Sequence, residues 1–296
     1  MQYDPKAIYD RAYFAEQIIG SARSARVVVP LVMNIVFDVR SVVDIGCGAG
    51  TWLAQFKQAG VPRVLGLDGG AAAEHDQLEI EPEEFRVANL ERDIDLDDSF
   101  DLCVCLEVAE HLTEHAAPVI VRNICRLSDV VLFSAAIPGQ GGVHHINERW
   151  PSYWAGLFAS AGYEVLDVVR GRIWNDERVQ WWYRQNLLLF ANKAGLSRIA
   201  QSAVTGRGNS SMPLDIVHPA CFQCHRPSEQ LEQCRQTLQQ IENSISWKLT
   251  SPLRWAKARV IGNNDIRRQK LRAVARLGWS LISLKFLSRS QPRTPF

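Results

Sequence analysis

Residues 41–50 read SVVDIGCGAG. A short apolar run passes directly into three closely spaced glycines. The run has the composition of a buried parallel strand, and glycine, which has no Cβ, lets the chain turn sharply and pass close to a ligand. The flanking sequence repeats this rhythm. TWLAQFKQAG (51–60) has apolar residues at helical spacing and a glycine stop. RVLGLD (63–68), FRVANL (85–90), FDLCVCLEV (100–108) and DVVLFSAAI (129–137) read as further strands. Residues 10–36, 109–127 and 150–162 carry helical patterns, with Pro118 interrupting the second, and EVLDVVR (164–170) and NLLLFANK (186–193) complete seven strands. Strands alternating with helices predict a doubly wound, mostly parallel α/β sheet.

The chain has 296 residues and is 47% hydrophobic, enough for one large core plus an appendage. The net charge of +1 conceals a division. Residues 247–296 hold 12 Lys/Arg and one acid, Asp265, which leaves 21 bases and 31 acids in residues 1–246. The expected organisation is a catalytic domain over 1–194, a linker over 195–227, a short coiled-coil segment over 228–246 and a basic amphipathic tail over 247–296. The coil rests on Leu231, Cys234, Leu238, Ile241 and Ile245, spaced as an apolar seam. The seven cysteines form no disulfide framework, and no uncharged apolar run approaches the roughly 18–20 residues of a membrane span. A cytoplasmic protein is expected. Its tail could lie on the anionic inner membrane face, and its coil could hold a second copy or a partner enzyme.

A dinucleotide fingerprint places its third glycine three residues after the second. Here Gly46, Gly48 and Gly50 are evenly spaced, which disfavours NAD. Asp68 ends the second strand, where a carboxylate can accept both ribose hydroxyls of an adenosine. Asp44 ends the first, where it can face a cation. An adenosine carrying a positive centre and an amino-acid tail suits the pair.

With VVDIGCGAG, GLD and FDLCVCLEVAEHL in order, the chain resembles the class I S-adenosylmethionine-dependent methyltransferases over about residues 40–193. The resemblance implies a sheet in the order 3-2-1-4-5-7-6 with the last strand antiparallel. It implies S-adenosyl-L-methionine as cofactor, with Asp44, Gly46, Gly48 and Gly50 around the methionine part and Asp68 on the ribose. The adenine position falls at Asn89 and Leu90 in place of the family's usual Asp, and Leu106 lies beside the donor.

The stretch EVAEHL packs Glu107, Glu110 and His111 into five positions at the end of the fourth strand. E-x-x-E-H also resembles two metal-using subgroups, the ubiquinone-biosynthesis O-methyltransferases and the small-RNA 3′-terminal 2′-O-methyltransferases. That likeness implies Mg²⁺ or Mn²⁺ on Glu107, Glu110 and His111, where an ion would lower the pKa of an acceptor hydroxyl. The plainer alternative is a loop below the donor that binds no metal, with Glu107 and His111 serving the reaction directly.

After the fifth strand, IPGQGGVHHINERWPSYW (137–154) places His144 and His145 in a glycine-rich loop. Either could be the general base for an acceptor hydroxyl or could complete the metal site. Asn147, Trp150 and Tyr153 could wall a sugar ring, with Trp154 equally suited to the core. GGVHHINERWPSYWAGLFASAGYEVLDVVRGRIW (141–174), QWWYRQNLLLF (180–190) and SWKLTSPLRW (246–255) resemble methyltransferases of bacterial surface-polysaccharide assembly. That likeness implies a glycan or lipid-linked saccharide acceptor and, for the coil, a glycosyltransferase partner. The alternatives are a quinone-like small molecule, an RNA 2′-hydroxyl and a non-catalytic scaffold. Nucleic acid ranks below glycan because the tail carries no base-reading module. CFQCH (221–225) has the spacing of a haem attachment, but no export signal accompanies it.

Overall fold

The computed structural model describes residues 11–69, 78–201, 213–224, 236–241 and 243–244. The chain divides into two compact units, Met1–His225 and Arg226–Phe296. In chain order the first unit contains α1 (Arg11–Ile35), β1 (Ser41–Ile45), α2 (Thr51–Gln58), β2 (Arg63–Asp68), β3 (Phe85–Val87), β4 (Leu102–Leu106), α3 (Ala117–Leu127) and β5 (Val130–Ser134). It continues with α4 (Pro151–Ser160), β6 (Glu164–Leu166), α5 (Arg170–Ile173), α6 (Trp181–Asn186), β7 (Leu188–Ala191), α7 (Lys193–Leu196) and α8 (Pro219–Cys224). Among the described residues, no helix is long and apolar enough to cross a membrane.

The seven strands form one sheet in the order β3-β2-β1-β4-β5-β7-β6. β1 to β5 pair in parallel, and β7 runs antiparallel to both β5 and β6. This is the Rossmann-like architecture expected above. The alternation along each strand divides the core. Val42, Leu102, Val104 and Leu132 face the cluster that holds α1 and α2, whereas Val43, Cys103, Cys105, Val131 and Phe133 face the one that holds α3 and α4. Phe158 of α4 stacks on Phe190 of β7 at 4.1 Å between centroids, and both are fully buried. Each such ring contributes about 1.5–3 kcal/mol of transfer free energy.

The stretch 109–127 is not one helix. Two 3₁₀ turns, Ala109–His111 and Glu114–Ala116, precede α3. Pro118 sits in the first turn of α3, where its missing N–H costs nothing. The expected strand at 186–193 is shorter, because Trp181–Asn186 forms α6 and delivers two polar side chains to the sheet edge.

Residues 213–224, within the expected linker, lie against the domain. The carboxylate of Asp215 accepts from Ser152 N at 2.8 Å and from its Oγ at 2.7 Å. The fully buried Arg170 guanidinium donates to the carbonyls of Leu214 at 2.9 Å and Pro213 at 3.3 Å. In the expected coil, residues 236–241 are helical, with Leu238 and Ile241 exposed. Leu231, Cys234, Ile245 and the tail 247–296 lie outside the described residues.

Candidate active site

The glycine turn closes β1 at the carboxyl edge of the sheet. Gly46, Gly48 and Gly50 have φ of +82°, +54° and +81°. A Cβ on Gly46 would lie 2.3 Å from Val108, and one on Gly50 would lie 2.8 Å from Ile80. At Gly48 it would meet nothing within 4 Å. The outer two glycines are therefore demanded by packing, and the middle one presents bare backbone to open space.

Two carboxylates back this turn. Asp68 accepts a hydrogen bond from Gly48 N at 2.7 Å. Asp44 is 3% exposed. Burial first, then the neighbouring Asp68 charge, holds Asp44 well above the ordinary carboxylate range. Burial also raises Asp68, against the lowering effect of hydrogen bonds from Gly48 and Gly69. Among the described residues no basic side chain compensates either group. A buried and a half-buried carboxylate side by side without a counter-charge are destabilising unless they are protonated or a cation is bound. Leu90 and Leu106 are buried on opposite sides of the sheet, and the exposed Asn89 accepts from Glu91 N at 3.0 Å.

Glu107 directly follows β4 with φ of +55°, a strained value for a residue with a side chain. The surroundings hold it there. Its N–H donates to the Ser134 carbonyl at 3.0 Å, and its carboxylate accepts from Gln140 Nε2 at 2.9 Å and Asn186 Nδ2 at 3.2 Å. Glu110 is fully buried, and neither carboxylate oxygen has a partner in full hydrogen-bonding geometry, although the Ala136 backbone and the Glu107 carboxylate lie against it. Burial and then the Glu107 charge raise its pKa well above the ordinary value.

His111 and His145 lie edge to face with ring centroids 4.8 Å apart. His111 Nδ1 donates to the His144 carbonyl at 3.3 Å, and His145 Nδ1 donates to Glu148 Oε1 at 3.1 Å. Glu148 also accepts from Gly139 N at 2.7 Å and Gly141 N at 2.8 Å, so one carboxylate shapes the loop and orients the imidazole. The His145 ring packs where a Cβ on Gly142 would stand, 2.3 Å from Nε2. Burial, then His145, lowers the pKa of His111 to about 4, so it is neutral at pH 7.

The sequence-predicted residues are thus partly regrouped. Donor atoms of Glu110, His111 and His145 lie within 4.8 Å of one another. Glu107, expected with Glu110 and His111 as a ligand trio, is instead tied to the amides of Gln140 and Asn186. His145 brings its ring to His111, whereas His144, with φ of +59°, brings its carbonyl. Asn147, expected against a sugar, is 3% exposed. Its side chain bonds the Ala109 carbonyl at 3.4 Å and Arg149 Nε at 3.0 Å, so it pins the loop to the turn after β4. Trp150 is 38% exposed at the head of α4, and Tyr153 is half-buried beneath the Arg149 guanidinium. Trp154 is core. In CFQCH, His218 just upstream cannot ligate a metal as it stands: Nε2 donates to the Trp174 carbonyl at 2.9 Å and Nδ1 accepts from Ala220 N at 3.1 Å. Gln140, Glu148, Gln185 and Asn186 were not foreseen. The polar pair Gln185–Asn186 at the mouth of an apolar strand was the available signal.

A protein-family model described as a methyltransferase domain matches residues 43–128, which include the cradle, Glu107, Glu110 and His111. A search of curated proteins finds no match. Among solved structures, the chain is similar to Streptomyces venezuelae DesVI (16% identity, 65% of this chain and 100% of that one, TM-score 0.48). It is similar also to the sugar N-methyltransferase KedS8 of a Streptoalloteichus species (17%, 65% and 96%, TM-score 0.46). A third is the methyltransferase domain of bacterial CtHen1-C (17%, 58% and 98%, TM-score 0.42). The chain carries an S-adenosylmethionine-dependent methyltransferase domain.

Proposed function

We propose that the protein transfers the methyl group of S-adenosyl-L-methionine to a sugar hydroxyl of a bacterial surface polysaccharide or its lipid-linked precursor. The observation that carries this reading is the cluster of Glu110, His111 and His145 beside Glu107, at the same sheet edge as the glycine turn. An alcohol is a weak nucleophile at neutral pH, and a hydroxyl acceptor explains a buried acid–imidazole cluster here. The sequence likeness of residues 141–174, 180–190 and SWKLTSPLRW supports a glycan, and the basic tail supports work at a membrane face.

The donor supplies a methyl group on a sulfonium, which the acceptor oxygen displaces in line. Asp44 offsets its positive charge, Asp68 accepts from the ribose hydroxyls, and the bare backbone at Gly48 admits it. His145, held at Nδ1 by Glu148, takes the hydroxyl proton as the carbon–oxygen bond forms and the carbon–sulfur bond breaks. Glu107 orients the acceptor. Most of the rate enhancement then comes from alignment.

A second reading has its own observation. The two oxygens of buried Glu110, without a partner in full hydrogen-bonding geometry and beside two imidazoles, fit a divalent cation. With two nitrogens to one carboxylate, the set favours Mn²⁺ over Mg²⁺. Such an ion would be held by Glu110, His111 and His145, and would lower the pKa of the acceptor hydroxyl. The test is labelled methyl transfer by the full chain to lipid-linked glycan, RNA and a quinol, with and without chelator. Label on glycan alone supports the proposal; label on RNA or quinol alone overturns the acceptor.

A further inference from the structure

Three buried amides join the segment 213–218 to the sheet edge. The backbone N–H of His218 donates to Gln185 Oε1 at 2.8 Å. That fixes the amide: Gln185 Nε2 must point the other way, and it donates to Gln140 Oε1 at 3.1 Å and to Asn186 Oδ1 at 3.0 Å. With their oxygens so engaged, Gln140 and Asn186 turn their NH₂ groups toward Glu107, at 2.9 and 3.2 Å. The Ile137 N–H, donating to Gln140 Oε1 at 3.3 Å, sets the same polarity. Backbone amides cannot flip, so the orientation of all three side chains follows from where the chain places His218 and Ile137. Gln185, Asn186 and Gln140 are 0%, 2% and 6% exposed, so water does not stand in for a missing partner.

We propose that residues 213–218 are a positioning element of the active site, holding the Glu107 carboxylate through the relay Gln185–Gln140–Asn186. Gln185 is a positioning residue that acts on the acceptor site without touching it. The segment is clasped by the Arg170 guanidinium on the carbonyls of Pro213 and Leu214 and by Asp215 on Ser152. The strained φ of Glu107 gives it reason to need such support. The role assigned to Glu107 rests on the proposed methyl transfer; the relay itself does not.

The test is a pair of double-mutant cycles in the full chain. Gln185→Glu keeps the shape and the bond to His218 but sets an acceptor against the oxygens of Gln140 and Asn186. Asn186 is driven to turn its oxygen onto Glu107, whereas Gln140, held by the Ile137 N–H, is left with its oxygen against the new carboxylate. Glu107→Gln can donate to the turned Asn186 oxygen. The melting-temperature losses of Gln185→Glu and Glu107→Gln are expected to be sub-additive, the double variant recovering about 2–4 °C of the summed loss. This readout needs no acceptor. In the activity cycle, Gln185→Glu is expected to lower kcat about tenfold or more with little change in KM for the donor. The same change in a Glu107→Gln background is expected to have little effect. Asp215→Ala, which opens the exposed clasp without entering the core, gives a milder version: a several-fold fall in kcat that disappears in the Glu107→Gln background. Additive melting losses overturn the relay. Sub-additive losses with kcat effects that persist in the Glu107→Gln background leave the relay standing as structure and overturn its role in positioning.

Discussion

Asp44 and Asp68 stand together behind the glycine turn, and the Asp68 charge adds to burial in making the Asp44 environment unfavourable to ionisation. Burial and the Asp68 charge together hold the Asp44 pKa well above its ordinary value. In the free protein this acid contributes most to stability below the normal carboxylate range, and the contribution is lost as pH rises through the raised pKa. Binding of a cationic donor needs the ionised form and runs the other way. Donor affinity is therefore expected to fall as pH drops through the raised pKa, with proton release on binding. Calorimetry in buffers of differing ionisation enthalpy measures both. Asp44→Asn should weaken the donor about 10–100-fold and abolish the proton release.

The three glycines separate fold from binding. Gly46→Ala places a methyl 2.3 Å from Val108 at a φ of +82° and is expected to cost about 1–3 kcal/mol of stability in denaturant titration. Gly48→Ala meets nothing within 4 Å in the protein and should cost about 1 kcal/mol. It is nonetheless expected to lose donor binding, because its methyl group enters the space meant for the ligand.

The cluster of Glu110, His111 and His145 makes opposed statements about metal. If an ion is resident, a chelator inactivates the enzyme, Mn²⁺ restores it, and Glu110→Gln falls at least about 100-fold beyond rescue by Mn²⁺. If His145 is the base alone, turnover ignores the chelator and His145→Ala falls about 10²–10⁴-fold. Turnover with and without chelator in the wild-type chain distinguishes the two.

Arg170 is fully buried, pairs with Asp167 at 2.6 Å and holds the carbonyls of Pro213 and Leu214. Arg170→Met leaves Asp167 without its partner and the two carbonyls without a donor. A destabilisation of about 3–5 kcal/mol is expected from urea titration, with faster proteolysis near residue 213.

The sheet was legible because its strands are short apolar runs bounded by glycine and acid, and because three motifs stand at the ends of successive parallel strands. The glycine turn and its two carboxylates were legible for the same reason: Asp44, the glycines and Asp68 are local to β1 and β2. The surroundings of Glu107 were not. Glu107 was read with its neighbours in sequence, but its partners Gln140 and Asn186 lie 33 and 79 residues away and carry no periodic signal. The adjacent histidines look equivalent in sequence, but in the fold His145 sets its ring edge to face on His111, whereas His144, at φ of +59°, offers its carbonyl to His111 Nδ1. Asn147 was assigned to a substrate because an exposed loop was assumed; the loop in fact folds its amide inward. Pro118 was seen, but the two 3₁₀ turns it leaves upstream depend on tertiary packing.

The most direct measurement is transfer of labelled methyl from S-adenosyl-L-methionine by the purified full chain to isolated lipid-linked glycan, alongside the Gly48→Ala and His145→Ala variants. Label on a sugar oxygen that is lost in both variants is the expected result. Donor binding with no label on glycan, or label that persists in the Gly48→Ala variant, would contradict the central claim.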